Sequence, residues 1–135
     1  GDTPHLDTTL DPDELVTAVR IPGLAMAQRS RYRKVRDRAS YAFALISVAA
    51  ALDLDGDTVR GVRVALGGVA HKPWRATVLE EHLTGRPASD AALDAAAEAE
   101  LAAARPGPDT AFKVGLAVRT ISAVLRQLRD QGGAA

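Results

Sequence analysis

At 135 residues and 47% hydrophobic, the chain is long enough for one domain with a real core and too apolar to remain disordered. Lys plus Arg number 17 and Asp plus Glu also 17, and a zero net charge excludes general nucleic-acid affinity, which needs surplus cations to displace counterions. With no cysteine, the chain forms no disulfides, thiolate nucleophiles, zinc–thiolate sites or iron–sulfur ligands, and no apolar run reaches the ~18 residues of a membrane span.

Residues 1–13 are polar, contain Pro4 and Pro12, and begin with Gly rather than Met. They read as a linker from a missing preceding domain, leaving 14–135 as the folded unit. The segment "ELVTAVRIPG" comes next. Leu15, Thr17, Val19 and Ile21 alternate with Val16, Ala18 and Arg20, the pattern of a strand ended by Pro22-Gly23. "LAMAQ" is expected to be a loop or an edge segment. "SRYRKVR" then alternates again, with Tyr32 and Lys34 on one face and Arg31, Arg33 and Val35 on the other.

"LISVAAALDLDGDTVRGVRVALGG" predicts a β-hairpin. A three-residue Asp55-Gly56-Asp57 loop sets Val48 opposite Val64 and Ala50 opposite Val62, which buries one continuous apolar face. A two-residue Asp55-Gly56 loop would mix the faces. Three helices are expected after it. Pro73 suits the first turn of one, and Gly85 its end. Ser89 caps "DAALDAAAEAELAAA", and Asp109 is expected to cap the last. In that last helix Val114, Ala117, Val118, Ile121, Val124, Leu125 and Leu128 recur at helical spacing. The expected fold class is therefore α+β: a four-stranded, mainly antiparallel sheet followed by three helices packed on one face.

Self-sufficient chemistry is absent. Counted from Asp53, a calcium loop needs Gly sixth and Glu twelfth, but Thr58 and Val64 stand there, so "DLDGDT" is a hairpin turn. His5, His71 and His82 lack ligand spacing. "LGGVA" lacks both the dinucleotide fingerprint and the P-loop lysine. Glu80 and Glu81 are adjacent on a helix and do not share a face. The feature that remains is the basic strand. Arg29 to Arg38 holds six cations against one anion, Asp37. Two readings stay open: a solvated edge strand protected by charge, or a contact to an anionic cofactor or a charged partner.

The ordered set "ELVTAVRIP … RYRKVRDRASYAFALISVAAALDLDGDTVRGVRVALGGVAHKPWRA", continued in "PGPDTAFKVGLAVRT", resembles the C-terminal domain of the flavin-binding medium subunit of molybdenum hydroxylases. These are the xanthine dehydrogenase, CO dehydrogenase and aldehyde oxidoreductase enzymes, with the likeness strongest to bacterial xanthine-dehydrogenase-type subunits. The resemblance implies an oxidoreductase component. Electrons would pass from a molybdenum cofactor through iron–sulfur clusters to FAD. It also implies three partners: a molybdenum-cofactor subunit, an iron–sulfur subunit and a preceding FAD-binding domain. By the family pattern Lys34 and Val16 reach the flavin, and no residue of this chain is catalytic or binds metal. FAD would not be retained by this chain alone, which has no loop to cradle a pyrophosphate. A cytoplasmic location is expected. The competing reading is a non-catalytic module that docks subunits.

Overall fold

The computed structural model describes residue 3 and residues 5–132; residues 1, 2 and 4 of the expected linker and residues 133–135 lie outside the described residues. Four strands form one antiparallel sheet in the order β1 (Ser30–Val35), β2 (Ile46–Asp55), β3 (Thr58–Gly67), β4 (Trp74–Arg75). Helices α1 (Thr77–Leu83), α2 (Asp90–Leu101) and α3 (Phe112–Gly132) follow. The expected α+β class is borne out.

Alternation builds the core. Ile46, Val48, Ala50 and Leu52 of β2 point to the same face as Val62, Val64 and Leu66 of β3, and all are buried. α1 packs against β3, α3 lies across β2 and β1, and α2 closes over the other two helices. The apolar stripe read from α3 is the one buried: Ala117, Ile121, Val124, Leu125 and Leu128 meet the sheet-side core. Ser89 caps α2 by accepting from the Ala92 N–H at 3.3 Å. Arg126 and Arg129 tie α3 back to Asp94 and Asp90, each at 2.6 Å.

The hairpin keeps its predicted faces but not its predicted register. Val48 stands opposite Leu66 and Ala50 opposite Val64, a shift of two residues, and Asp55 pairs with Thr58 around a tight Gly56-Asp57 turn. The turn accounts for one residue of the shift and a bulge for the other, where Asp53 pairs with Gly61 and Leu54 with Val59. The extra residue, Arg60, turns outward and grips Asp53 in a bidentate pair at 2.7 and 2.8 Å. The bulge also reverses the phase of β3, so that Val59 and Val62 are both buried although three residues apart. A two-residue shift preserves the face, which is why burial alone did not determine the register.

Three further expectations are corrected. Glu14–Ile21 is not a strand. Among the described residues it has no ladder partner, and Leu15, Val19 and Ile21 are 82%, 80% and 85% exposed. The fourth strand is instead Trp74–Arg75, where a first helical turn was expected. Its residues pair with Leu66 and Ala65, and α1 starts only at Thr77. Asp109 sits in a 3-10 turn, Pro108–Thr110, without a side-chain capping bond, and α3 begins at Phe112. "LAMAQ" runs into another short 3-10 turn, Ala25–Arg29.

Candidate functional site on the open face of the sheet

Antiparallel partners share a face. Lys34 stands opposite Ser47, which in turn faces Gly67; Tyr32 stands opposite Ala49, which faces Ala65. These rows lie on the face turned away from the helices, whereas Arg31 and Arg33 pair with Ala50 and Val48 and so point to the helix side. The predicted division of the basic strand is therefore observed. Lys34 and Tyr32 are exposed, Tyr32 at 64%.

Around them the sheet is a floor of small groups: Ser47, Ala49, Ala65 and Gly67. The floor is tightly made, since a Cβ added at Gly67 would lie 2.4 Å from the Ser47 Oγ. At its far end it is covered, because Met26 reaches over Gly61, whose added Cβ would lie 2.8 Å from the Met26 Cε. At its near end it opens between two loops. One, residues 36–45, leaves β1 directly after Lys34's end. It carries Tyr41 and Phe43, both 97% exposed, and the Tyr41 backbone is left-handed at φ +48°. Arg38 donates to the Tyr41 carbonyl. The other loop begins at Gly68, where φ is +77° and an added Cβ would lie 2.9 Å from the Leu45 carbonyl oxygen, leaving no room for a side chain.

Val16, the second predicted site residue, stands outside the four strands. It is 59% exposed in the irregular segment, and among the described residues no backbone hydrogen bond ties 15–21 to the sheet. The floor was missed in the sequence. Its signal was present in the alternate small residues of "SVAAAL" and "VALGG", but they read as strand filler until the pairing set them side by side.

The two buried carboxylates serve architecture. Glu100 of α2 accepts from the Trp74 Nε1 at 2.8 Å and from the Leu79 N–H at 3.0 Å, capping α1 from outside. Glu80 accepts from the Val64 N–H at 2.9 Å, continuing the edge of β3 where β4 stops, and receives both Arg75 guanidinium donors. Burial pushes the Glu80 carboxyl up, but the Arg75 hydrogen bonds, the Val64 N–H and the charges of Arg75 and Arg63 outweigh it, leaving the pKa below its ordinary value. Glu81 is exposed, so the two glutamates do not act together. Among the described residues no group of three or more His, Asp or Glu gathers to hold a metal, and no helix is long and apolar enough to cross a membrane.

This geometry has known counterparts. Residues 30–128, from the first residue of β1 to the last buried leucine of α3, match the family of the CO dehydrogenase flavoprotein C-terminal domain. The chain belongs to this family. It is 47% identical to the aldehyde oxidoreductase FAD-binding subunit PaoB of Escherichia coli (strain K12), over 97% of the chain and 38% of that protein. The fold recurs in a CO dehydrogenase from Hydrogenophaga pseudoflava, at 27% identity and a TM-score of 0.68, covering 78% of this chain and 38% of that one. It recurs again in CO dehydrogenase from Oligotropha carboxidovorans, with a TM-score of 0.78 over 91% of this chain and 44% of that one, at 23% identity. The chain thus spans less than half the length of these relatives. As a CO dehydrogenase flavoprotein C-terminal domain it comprises the whole sheet and all three helices, and Leu15–Ile21 precedes the matched region.

Proposed function

We propose that this chain is the C-terminal domain of the FAD-binding subunit of a cytoplasmic molybdenum hydroxylase of the xanthine dehydrogenase type. Its open face would complete the flavin site, and its loops would meet the molybdenum-cofactor and iron–sulfur subunits. Residues 1–13 are then the connection to a preceding FAD-binding domain. The observation that carries this reading is the floor of Ser47, Ala49, Ala65 and Gly67 with Lys34 and Tyr32 rising from its edge. A flat surface with one ammonium and one aromatic ring suits the edge of a planar, electron-rich ring system. The identity to an FAD-binding subunit over almost the whole chain supports it.

FAD, when bound, accepts electrons and passes them on. This chain's contribution is positional and electrostatic. Lys34 places a positive charge where negative charge develops on reduction, and Val16 adds an apolar contact. The glycine-rich loops needed for a pyrophosphate belong to the preceding domain. Tyr41 and Phe43, exposed beside Arg36 and Arg38, have the composition of interface anchors and favour subunit docking as a second role of the same end of the sheet.

The test is a redox titration of the complete subunit with FAD occupancy recorded alongside. Lys34→Ala is expected to lower the flavin potential by tens of millivolts, given about 30 mV per 1.4 kcal/mol for a two-electron couple. Arg31→Ala and Arg33→Ala, on the helix side, are expected to leave it unchanged. A shift in either arginine variant, with Lys34→Ala at wild-type values, overturns the assignment.

A further inference from the structure

The segment Leu15–Ile21 has the sequence of a strand and the surroundings of none. Val16, Thr17, Val19 and Ile21 are β-branched, and apolar groups occupy both faces, the composition of a strand covered on two sides rather than of a tether. Yet Leu15, Val19 and Ile21 are each at least 80% exposed. Among the described residues their peptide groups make no hydrogen bond to β1, whose only partner strand is β2. The domain also does without them: the family match starts at Ser30, and the core is closed by the sheet and the three helices. The alignment with the Escherichia coli subunit takes in 97% of this chain, and so this segment, while most of that subunit lies outside it.

We infer that Leu15–Ile21 is a β-strand of the preceding domain, completing a sheet edge there by main-chain pairing, and that the boundary between the two domains falls at Pro22-Gly23. The partner surface is an open sheet edge with an apolar layer on both sides, because Leu15, Val19 and Ile21 need cover on one face and Val16 on the other. Pro22 ends the ladder by withholding an N–H, and Gly23 turns the chain toward Ala25–Arg29 and β1. This rests on the flavin-subunit reading. It gives Val16, which no strand of this chain holds, a route to the same cofactor as Lys34: it travels with the other domain.

The experiment is hydrogen exchange on two samples: this chain, and the subunit expressed with the residues encoded upstream of Gly1. In this chain the amides of 16–21 are expected to exchange at unstructured rates while those of β2 are protected. In the longer subunit the 16–21 amides are expected to slow by about 100-fold or more. Val19→Pro should abolish that slowing, and Val19→Thr should keep it. Free exchange in the longer subunit, protection already present in this chain, or a gene with no coding sequence upstream of Gly1 overturns the inference. Flavin absorbance on the same samples separates the two claims. Protection without FAD refutes the flavin reading and leaves the strand; FAD with free exchange does the reverse.

Discussion

Replacing Glu80 removes the carboxylate that finishes the β3 edge, and the cost follows from its partners. In Glu80→Ala the Val64 N–H is left buried without an acceptor, which costs about 1–3 kcal/mol. The ion pair to Arg75 also goes, but that guanidinium is half exposed, so its loss adds only about 0–1 kcal/mol. A total of about 1–4 kcal/mol in a chain of this size lowers the thermal midpoint by roughly 3–20 °C. Glu80→Gln keeps an oxygen for the Val64 N–H and loses the charge, so roughly half that cost is expected. Exposed Glu81→Ala should fall within about 0.5 kcal/mol of wild type. Acid supplies an independent check. The Glu80 pKa is depressed in the folded chain, so its stabilisation is fully present above the unfolded value near 4.5 and is lost as pH falls through the folded value. The gap between wild type and Glu80→Gln is therefore constant from pH 7 to about pH 5 and closes below that. Denaturant melts at several pH values measure it. A Glu80→Ala chain as stable as Glu81→Ala, or a gap that widens in acid, refutes the reasoning.

Ile121→Ala, at the fully buried centre of α3, is expected to cost about 2–5 kcal/mol by urea denaturation. Gly68→Ala should destabilise more than Gly56→Ala in the same assay. Both have positive φ, but only at Gly68 does the new Cβ strike backbone, 2.9 Å from the Leu45 carbonyl. The expected costs are about 1 kcal/mol at Gly56 and about 2–3 kcal/mol at Gly68. The purified 135-residue chain mixed with FAD should pass through a desalting column colourless, because two side-chain contacts do not offset the cost of ordering the ligand; a stoichiometric flavin spectrum would refute this.

Local signals by themselves determined the three helices, through breakers and caps for the first two and periodicity for the last, and periodicity gave the buried face of the hairpin, the α3 stripe and the placement of Lys34 opposite to Arg31 and Arg33. Each of these depends on neighbours within a few residues, where spacing translates directly into direction. Ser89 and Gly85 were legible for the same reason, since capping and left-handed turns are local chemistry. Tertiary structure decided the rest. A strand exists only with a partner, so alternation in Glu14–Ile21 produced none, whereas two residues at Trp74–Arg75 became β4 because the β3 edge lay beside them. The bulge at Arg60 leaves only a phase break between Val59 and Val62 in the sequence, and the pairing with β2 is what makes that break a bulge. Glu100 capping α1 joins residues 21 apart, and the floor beside Lys34 draws on two further strands, β2 and β3; neither has a local signature. Local sequence dictates which way a side chain points, and only the packed sheet and helices determine what it meets.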